Sequence, residues 1–513
     1  MATFARILGA LLWMLPLAPV HMARAQGAPA APPERFAGEA RLGSHPPLPV
    51  HVELDRAGVP VTGTITIPGS SFELGDAKGT GTVVARFRGA GGSGAITLRT
   101  DGDLLTGEFE LEGQPGTIAA QRTHHDAAAF LGPPEQRMDL AERQWLDDLD
   151  RLIDILEREH AAPFHRVSAE RFEHEAGQVR AAIPALDAVS IALEFRRLGA
   201  LIGDAHTSVD LPHARPRLPI DLYWFEDGLR VVGLPAQHRD LLGARLIAVD
   251  EVPAAAIEQR LRAYIAQGET EWHYRARMPD LAKDPDVLRA IGLGAAPSFS
   301  FTLETGGRQA HVVLSAGEAD EPPAQANLNP FWERNPGQGF WHELLADGSV
   351  YVNWRSYDGL AEQSADLMRR LDTKHPRRLI VDLRDNDGGD YNVGRAFVES
   401  IRSRPWLNRS GVLYVLIGRK TFSAAMTNAI DFRQKTEAVL VGEPAGAAPN
   451  NWQEVRHFHL PNSGLRVGVS TRYYAFLPGS PEVRPDHLVP PAPDDWTREH
   501  DAGLRFVLAQ PLR

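Results

Sequence analysis

The sequence contains no cysteine among its 513 residues. This absence excludes a disulfide scaffold, a thiol nucleophile, cysteine-ligated zinc and iron–sulfur clusters. An excess of basic residues is missing as well, since 54 Lys+Arg stand against 66 Asp+Glu and give a net charge of −12. Such a balance argues against binding to nucleic acid or to an anionic membrane surface. We therefore expect no nucleic-acid partner.

Lysine is scarce, and several catalytic motifs are missing. None of the five lysines lies three residues after a serine, which excludes the serine–lysine arrangement of β-lactamases. The glycine-flanked serine of α/β-hydrolases, the phosphate-binding loop and the helical zinc-protease motif do not occur either. His457 and His459 alternate in a strand-like segment, but no carboxylate stands at ligand spacing. The sequence therefore predicts neither a metal site nor a cofactor.

Residues 1–25 have the pattern of a signal peptide. Arg6 provides a positive start, a short apolar stretch follows, and small residues at Ala23 and Ala25 predict cleavage near Ala25. A buried N-terminal helix is the alternative. Residues 26–35, rich in alanine and proline, are predicted to form a linker. No later segment reaches the ~18 apolar residues of a membrane span, so we expect no membrane anchor and a periplasmic or secreted protein.

Two regions with different apolar periods follow. From residue 36 to 122, apolar and polar residues alternate and glycine-rich turns separate the runs, which predicts an antiparallel β domain, with a barrel as one possible form. From 135 to 204 the apolar period becomes helical. Gly203 is a natural helix terminator, and it places His206 just beyond a helix end.

The rest of the chain gives an α/β pattern. Residues 205–320 are mixed β/α, and a strand and turn within them resemble a degenerate PDZ-like module. Across 340–513, short apolar strands alternate with helices at a spacing of about 30 residues, which is typical of βαβ units and a largely parallel sheet. The predicted fold class is therefore multidomain α+β with an α/β C-terminal core.

Two loops fall at the carboxyl ends of these predicted strands, where parallel sheets bind ligands. One carries Ser423, which opens a helix whose N-terminus could stabilise a nucleophile and an oxyanion. The other carries Gly388 and Gly389, whose N–H groups could form an oxyanion hole together with that of Ala424. A plain N-cap serine and a plain turn are the alternatives. An EF-hand calcium loop is excluded because its ligand spacing fails.

His206 follows a strong helix stop and precedes a short β-like run. An isolated histidine is more often structural than catalytic, so the residues alone leave its role open.

These segments together resemble the tricorn and carboxyl-terminal processing peptidase superfamily of serine peptidases, which includes the tail-specific proteases. The resemblance covers roughly residues 138 to 510 and implies a Clp/crotonase-like catalytic core and a peptide or protein substrate. The segments that carry it are Asp204-Ala-His206-Thr207, Asp382-Leu-Arg-Asp-Asn386-Asp-Gly388-Gly389, Thr421-Phe-Ser423-Ala424, Val441-Gly-Glu-Pro444 and Arg484-Pro-Asp486.

The resemblance also implies roles for individual residues. Ser423 corresponds to the nucleophile, and the two glycines with the Ala424 N–H correspond to the oxyanion hole. The processing branch uses a lysine as base, but none stands at that place. Lys435 lies 12 residues along the same helix as the serine, or ~18 Å away at the helical rise. The tricorn-like branch uses a histidine, which corresponds to His206 and would act as the base.

The sequence departs from the family at two positions. Ala205 stands where the tricorn branch often has serine, and Ala445 stands where threonine is usual. These departures leave the acid that orients His206 open, with Glu482 as the first choice and Asp204 as the second. The expected function is an exported serine peptidase. A catalytically inactive peptide- or ligand-binding protein on the same fold and an esterase are the alternatives.

Overall fold

The computed structural model describes residues 33–43, 47–56, 60–67, 70–79, 81–89, 92–123, 136–212, 217–294, 298–317, 330–497 and 500–511. The predicted signal peptide and most of the predicted linker lie outside these residues. The chain divides into two compact units, Met1–Arg151 with His459–Leu465 and Leu152–Phe458 with Arg466–Arg513. Among the described residues, no helix combines the length and the apolar character needed to cross a bilayer.

The first unit contains a closed barrel of eight antiparallel strands. Each strand pairs with the next along the chain, and the last closes on the first, where Gly38 lies opposite Ala120. Val83, Ala85 and Phe87 point into the barrel and their immediate neighbours point out, as the pleat of a strand requires. The predicted antiparallel β domain is thus confirmed as a barrel. Its strands are β1 (Glu34–Leu42), β2 (Leu48–Asp55), β3 (Val61–Ile67), β4 (Ser70–Lys78), β5 (Thr82–Gly89), β6 (Gly92–Asp101), β7 (Leu104–Leu111) and β8 (Gln114–Arg122).

Three helices follow the barrel in sequence, and the last one positions the predicted histidine. They are α1 (Glu142–Glu159), α2 (Ala169–Ala182) and α3 (Ala188–Ile202). Gly203 ends α3 with a φ of 92°, a left-handed conformation that glycine adopts at little cost. The chain then enters the short strand β9 (Ser208–Val209), so that His206 lies between a helix end and a strand.

A second antiparallel sheet is built from the middle of the chain, with the strand order β10-β11-β12-β14-β15 and with β13 paired to β12. It shares an apolar core, which includes Leu222, Tyr274 and Phe301, with three helices. These elements are β10 (Asp221–Phe225), β11 (Gly228–Gly233), β12 (Arg245–Val249), β13 (Val252–Pro253), α4 (Ala254–Leu261), α5 (Glu271–Ala282), α6 (Pro285–Ala290), β14 (Ser298–Thr305) and β15 (Arg308–Ser315).

The C-terminal part forms a six-stranded sheet with the order β16-β17-β18-β19-β20-β23. It is parallel from β17 to β23, and β16 runs antiparallel at one edge. The elements are β16 (Phe340–Leu344), β17 (Val350–Trp354), α7 (Leu360–Lys374), β18 (Leu379–Asp382), α8 (Tyr391–Arg402), β19 (Leu413–Ile417), α9 (Ser423–Lys435), β20 (Val439–Gly442), β21 (Asn450–His459), β22 (Arg466–Ala475), β23 (His487–Leu488), α10 (Asp494–Thr497) and α11 (Ala502–Ala509). A separate three-stranded sheet has the order β21-β22-β9.

Both faces of the parallel sheet are covered, because successive residues of a strand point to opposite sides. Val350 and Val352 join a core with residues of α7, α8 and α9, whereas Tyr351 joins a core with residues of α11. The middle residues of β18, β19 and β20 are therefore apolar. Asp382 at the end of β18 lies beside Leu416 of β19, so the loops that leave these two strands start next to each other.

Candidate active site

Ser423 opens α9 directly after the loop that leaves β19. Its φ is 51°, in the left-handed region that costs a non-glycine residue roughly 1–3 kcal/mol. Thr421 fixes this loop, because its hydroxyl donates to the Leu383 carbonyl at 2.7 Å and accepts the Gly418 N–H at 3.0 Å. Most of the helix behind is buried. The serine is thus held in a strained conformation at the N-terminus of a fixed helix.

The turn after β18 approaches the serine closely. A Cβ atom on Gly388 would lie 2.7 Å from the Ser423 Cβ and 3.1 Å from the Ala424 nitrogen, so a larger residue would displace one of them. The N–H of Phe422 donates to the Asn386 carbonyl at 3.0 Å, which ties the two loops together. The structure therefore brings together the glycine turn and the serine that the sequence singled out.

The N–H groups around the serine differ in whether they already donate a hydrogen bond within the protein. The N–H of Gly388 donates to Asn386 Oδ1 at 2.9 Å. Within the described residues, the N–H groups of Gly389 and Ala424 have no acceptor in the protein. Two unpaired N–H groups beside a serine are what an oxyanion hole requires. Of the two predicted glycine donors, Gly389 is the one that remains free.

His206 packs against the residue that precedes the serine. Its ring lies over that of Phe422, with centroids 4.7 Å apart and an angle of 29° between the planes. Both ring nitrogens are buried, and neither forms a hydrogen bond of good geometry; a weaker interaction with the main chain of Trp452 tends to raise the pKa of the ring. Burial lowers the pKa of His206 to about 4; the charge of Asp204 opposes this shift and that of Arg277 adds to it. The imidazole is therefore neutral at pH 7, without a hydrogen bond to Ser423.

Asp204 holds His206 through the main chain and not through the ring. Its Oδ1 accepts the N–H groups of His206 at 3.0 Å and Thr207 at 2.9 Å, and it also accepts the Ser470 hydroxyl at 2.6 Å. Its Oδ2 contacts His160 Nε2 at 3.0 Å. The carboxylate is thus a buried hub for the loop that carries the histidine.

His160 is a partner that the sequence analysis missed. Its Nδ1 accepts the Ala162 N–H at 2.9 Å, so its Nε2 carries the proton and donates to Asp204. Burial alone would raise the pKa of Asp204, but hydrogen bonds from His160, Ser470 and Thr207 outweigh it and hold that pKa below its usual value. His160 precedes Asp204 by 44 residues, and no local motif marks it.

Glu482 is engaged elsewhere. Its carboxylate accepts the Trp272 indole N–H at 3.1 Å and pairs with the Arg484 guanidinium. Neither of the two acids predicted to orient His206 contacts its ring, and no other carboxylate among the described residues does so.

Further groups that sequence reasoning missed surround Phe422. The His273 ring lies 5.2 Å from it, and burial lowers the pKa of His273 well below its usual value. The Arg277 guanidinium lies 5.6 Å from the centre of the same ring and pairs with Asp387 at 2.8 Å. α5 therefore places a neutral histidine and a cation beside the serine loop. Their distance from Ser423 along the chain explains why no sequence pattern revealed them.

Solved structures with a similar fold include mature CPAF complexed with lactacystin, with a TM-score of 0.52, 11% identity and coverage of 71% of this chain and 97% of that one. Another structure of mature CPAF gives a TM-score of 0.50 and 12% identity, and covers 71% and 96%. The chain has the fold of CPAF. Tricorn protease is matched at a TM-score of 0.34 and 12% identity, over 92% of this chain and 46% of that one, which supports no inference. No protein-family model and no curated protein matches the sequence. The two CPAF structures therefore support the predicted resemblance at the level of the fold.

A cavity of about 260 Å³ lies at the carboxyl ends of β18, β19 and β20. Its wall includes Arg419 and Lys420, which belong to the loop that leads to the serine. Tyr223, Trp332 and Trp496 provide aromatic surface. This is the place where parallel sheets bind ligands, and its size suits an amino-acid side chain or a group of similar volume.

Lys435 lies where the sequence predicted. It occupies the last turn of α9 and pairs with Asp431 at 2.7 Å. It is therefore at the opposite end of the helix from Ser423. The described residues contain no cluster of three or more histidine or acidic side chains that could hold a metal ion.

Proposed function

We propose that the protein is an exported serine peptidase with a Clp/crotonase-like core, in which Ser423 is the nucleophile and His206 the base. The observation that carries this proposal is the strained φ of 51° at Ser423, at a helix N-terminus against which the Gly388 turn packs within van der Waals distance. Strained backbone of this kind clusters at active sites. The free N–H groups of Gly389 and Ala424 lie on the two segments that meet there.

His206 fits the role of base in its protonation state and its position. It is neutral at pH 7, since burial lowers its pKa to about 4. Its ring contacts the residue next to the serine. A turn of the imidazole about its side-chain bonds is required to reach the hydroxyl, and catalytic hydrogen bonds are often formed only when substrate is bound.

The reaction proceeds by acyl transfer. His206 accepts the hydroxyl proton as Ser423 Oγ bonds to the carbonyl carbon of the substrate. The N–H groups of Gly389 and Ala424 stabilise the negative oxygen. The C–N bond then breaks, the leaving amine takes the proton from His206, and water hydrolyses the acyl-serine by the same route. The adjoining 260 Å³ cavity would receive a substrate side chain.

A fluorophosphonate probe tests the nucleophile in the full-length protein. We expect wild type to be labelled, Ser423→Ala to remain unlabelled, and Ser403→Ala, a substitution at the exposed end of α8, to be labelled like wild type. Equal labelling of wild type and Ser423→Ala would falsify the assignment.

Two observations favour a non-catalytic binding protein as the second candidate: no carboxylate contacts the His206 ring, and the serine and histidine are not hydrogen-bonded. Digestion of a peptide library, followed by mass spectrometry with Ser423→Ala as the blank, separates the candidates. New termini that depend on Ser423 support a peptidase. Hydrolysis of acyl esters without peptide cleavage would indicate the esterase, and no turnover of either would indicate the binding protein.

A further inference from the structure

The barrel is closed at one end by charged side chains. Arg56 donates to Glu34 at 2.7 Å and to Thr100 at 2.7 Å. Arg122 pairs with Asp103 at 3.0 Å and reaches Glu34 at 3.4 Å. These residues lie where β1 and β7 begin and where β2, β6 and β8 end, so they form a polar plug over the apolar interior at this end.

The opposite end of the barrel has a different character. A cavity of about 60 Å³ lies there, and among the residues that the structure describes no polar side chain belongs to its wall. Its inner wall is formed by fully buried side chains such as Phe72 and Ile96. Six half-buried apolar side chains surround the cavity toward the hairpin ends, and we call this set the apolar mouth: Ala40, Leu42, Leu48, Ile67, Phe109 and Leu111.

We propose that the barrel binds the end of a single alkyl chain through the apolar mouth. An eight-stranded barrel has an interior just wide enough for its own side chains or for one small ligand. Most of this interior is already filled by the barrel core, so only a narrow, flexible group can enter. A cavity with an entirely apolar wall excludes water and gains stability from apolar contacts.

The chemistry of the wall also determines what stays outside. A charged or hydroxyl head group would lose its hydration in the cavity without finding a hydrogen-bond partner, at a large cost in free energy. The ligand is therefore an amphiphile whose chain enters and whose head group remains in water. This binding does not involve Ser423, so its test is independent of the test of the proposed peptidase activity.

The test uses the full-length protein and the probe N-decyldansylamide, which has a free alkyl end and a dansyl head group whose emission shifts to the blue when it lies against apolar side chains. We expect saturable binding of one probe per chain. In competition experiments with octanoate, nonanoate and decanoate, affinity should rise about fourfold for each added methylene that is buried. Decanoate and decyltrimethylammonium should compete within about threefold of each other. Absence of saturable binding, no dependence on chain length, or competition governed by head-group charge would each overturn the proposal.

Two substitutions on β7 and one on β1 test whether the probe binds at the apolar mouth. Leu111→Lys places a charge on the inward face of β7 at the apolar mouth, whereas Leu104→Lys places the same charge at the other end of the strand on its outward face, where Leu104 is 46% exposed. We expect probe affinity to fall at least tenfold in Leu111→Lys and to be unchanged in Leu104→Lys. Ala40→Phe, which fills the mouth with apolar atoms and adds no charge, should also weaken binding. Circular dichroism confirms that each variant is folded. Equal effects of the two β7 variants, or wild-type binding by Ala40→Phe, would place the probe elsewhere and reject the proposal.

Discussion

At the residue scale, the position of His206 depends on a carboxylate that does not touch its ring. Asp204 fixes the main chain of His206 and Thr207 and is itself held by His160 and Ser470. An imidazole anchored this way keeps its place beside Phe422, and no hydrogen bond of good geometry fixes its side-chain torsions. This arrangement accounts for a histidine that is well placed and yet without a hydrogen bond in the free protein.

Substituting Asp204 with Asn should therefore disturb the loop that carries His206. The carboxylate accepts hydrogen bonds on both oxygens, from His160 on one side and from two main-chain N–H groups and a hydroxyl on the other. The asparagine side chain has one acceptor oxygen and one NH₂ group. At least one of the groups that donate to Asp204 would therefore face that NH₂ group and lose its acceptor. We expect a loss of about 2 kcal/mol in the free energy of unfolding, measured by urea denaturation, together with slower fluorophosphonate labelling.

Asp210→Asn is the control for that substitution. Asp210 lies in the same loop region and pairs with Arg466 at 2.7 Å, but both side chains are partly exposed, at 30% and 49%. A pair of this kind contributes about 0–1 kcal/mol. An Asp204 variant that behaves like the Asp210 variant would show that the hub does not support the histidine loop.

The pH dependence of labelling should report the unusual pKa of His206. An ordinary histidine base loses activity as pH falls through about 6.5. Burial lowers the pKa of His206 to about 4, so wild type should keep its labelling rate well below pH 6 and lose it only near that value. Arg277 contributes to the shift, so Arg277→Gln should move the acid limb to higher pH. Arg275→Gln, two residues away on α5, is the control. An acid limb at pH 6.5 in wild type would contradict the assignment of His206 as base.

At the scale of elements, the site is made by a turn and a helix terminus in contact. Gly388→Ala tests that contact, because the added Cβ would lie 2.7 Å from the Ser423 Cβ, in a backbone with a φ of 108°. Such a backbone costs alanine about 1–3 kcal/mol, and movement of the turn would displace the oxyanion donors. We expect labelling to slow by at least ~10²-fold, as measured under pseudo-first-order conditions. Gly337→Ala, where the new Cβ meets nothing within 4 Å, should be neutral. Normal labelling of Gly388→Ala would contradict the proposed oxyanion hole.

Several elements of the fold could be predicted from the sequence because each has a local cause. Gly203 ends α3 by its own conformation, and the alternating apolar pattern determines the inward residues of the barrel. The network around Asp204 could not be predicted, since Ser470 lies 266 residues away and only the fold brings it near. Glu482 illustrates the same limit: its partner Trp272 lies 210 residues away along the chain.

At the scale of the whole molecule, buried histidines and buried glutamates change the stability of the fold in opposite directions as pH changes. Burial lowers the pKa of both His206 and His273, so acidification from pH 6.5 downward favours the unfolded chain, which takes up their protons. Burial raises the pKa of Glu269 and Glu333 to about 7. These two carboxyls are protonated in the folded protein and ionised in the unfolded chain between pH 4.5 and 7, so they favour unfolding as pH rises. The two effects oppose each other between pH 4.5 and 6.5, and we expect a broad range of nearly constant stability there.

Glu269→Gln should remove part of the loss of stability that the buried glutamates cause as pH rises. In wild type, Glu269 accepts the Ala448 N–H at 2.7 Å, and burial together with the charge of Asp204 raises its pKa to about 7. Glutamine keeps an acceptor oxygen but cannot ionise. As pH rises from 4.5 to 7, the free energy of unfolding of wild type falls, because Glu269 is protonated in the folded protein but ionised in the unfolded chain. The variant has no such loss, so its free energy of unfolding should rise relative to that of wild type, by at most about 1.4 kcal/mol per pH unit. Thermal midpoints measured from pH 5 to 8 test this. Glu271→Gln, which removes an exposed carboxylate paired with Arg262 at 2.9 Å, is the control. A constant difference between Glu269→Gln and wild type across this range would show that Glu269 is already ionised in the folded protein and that burial does not set its pKa.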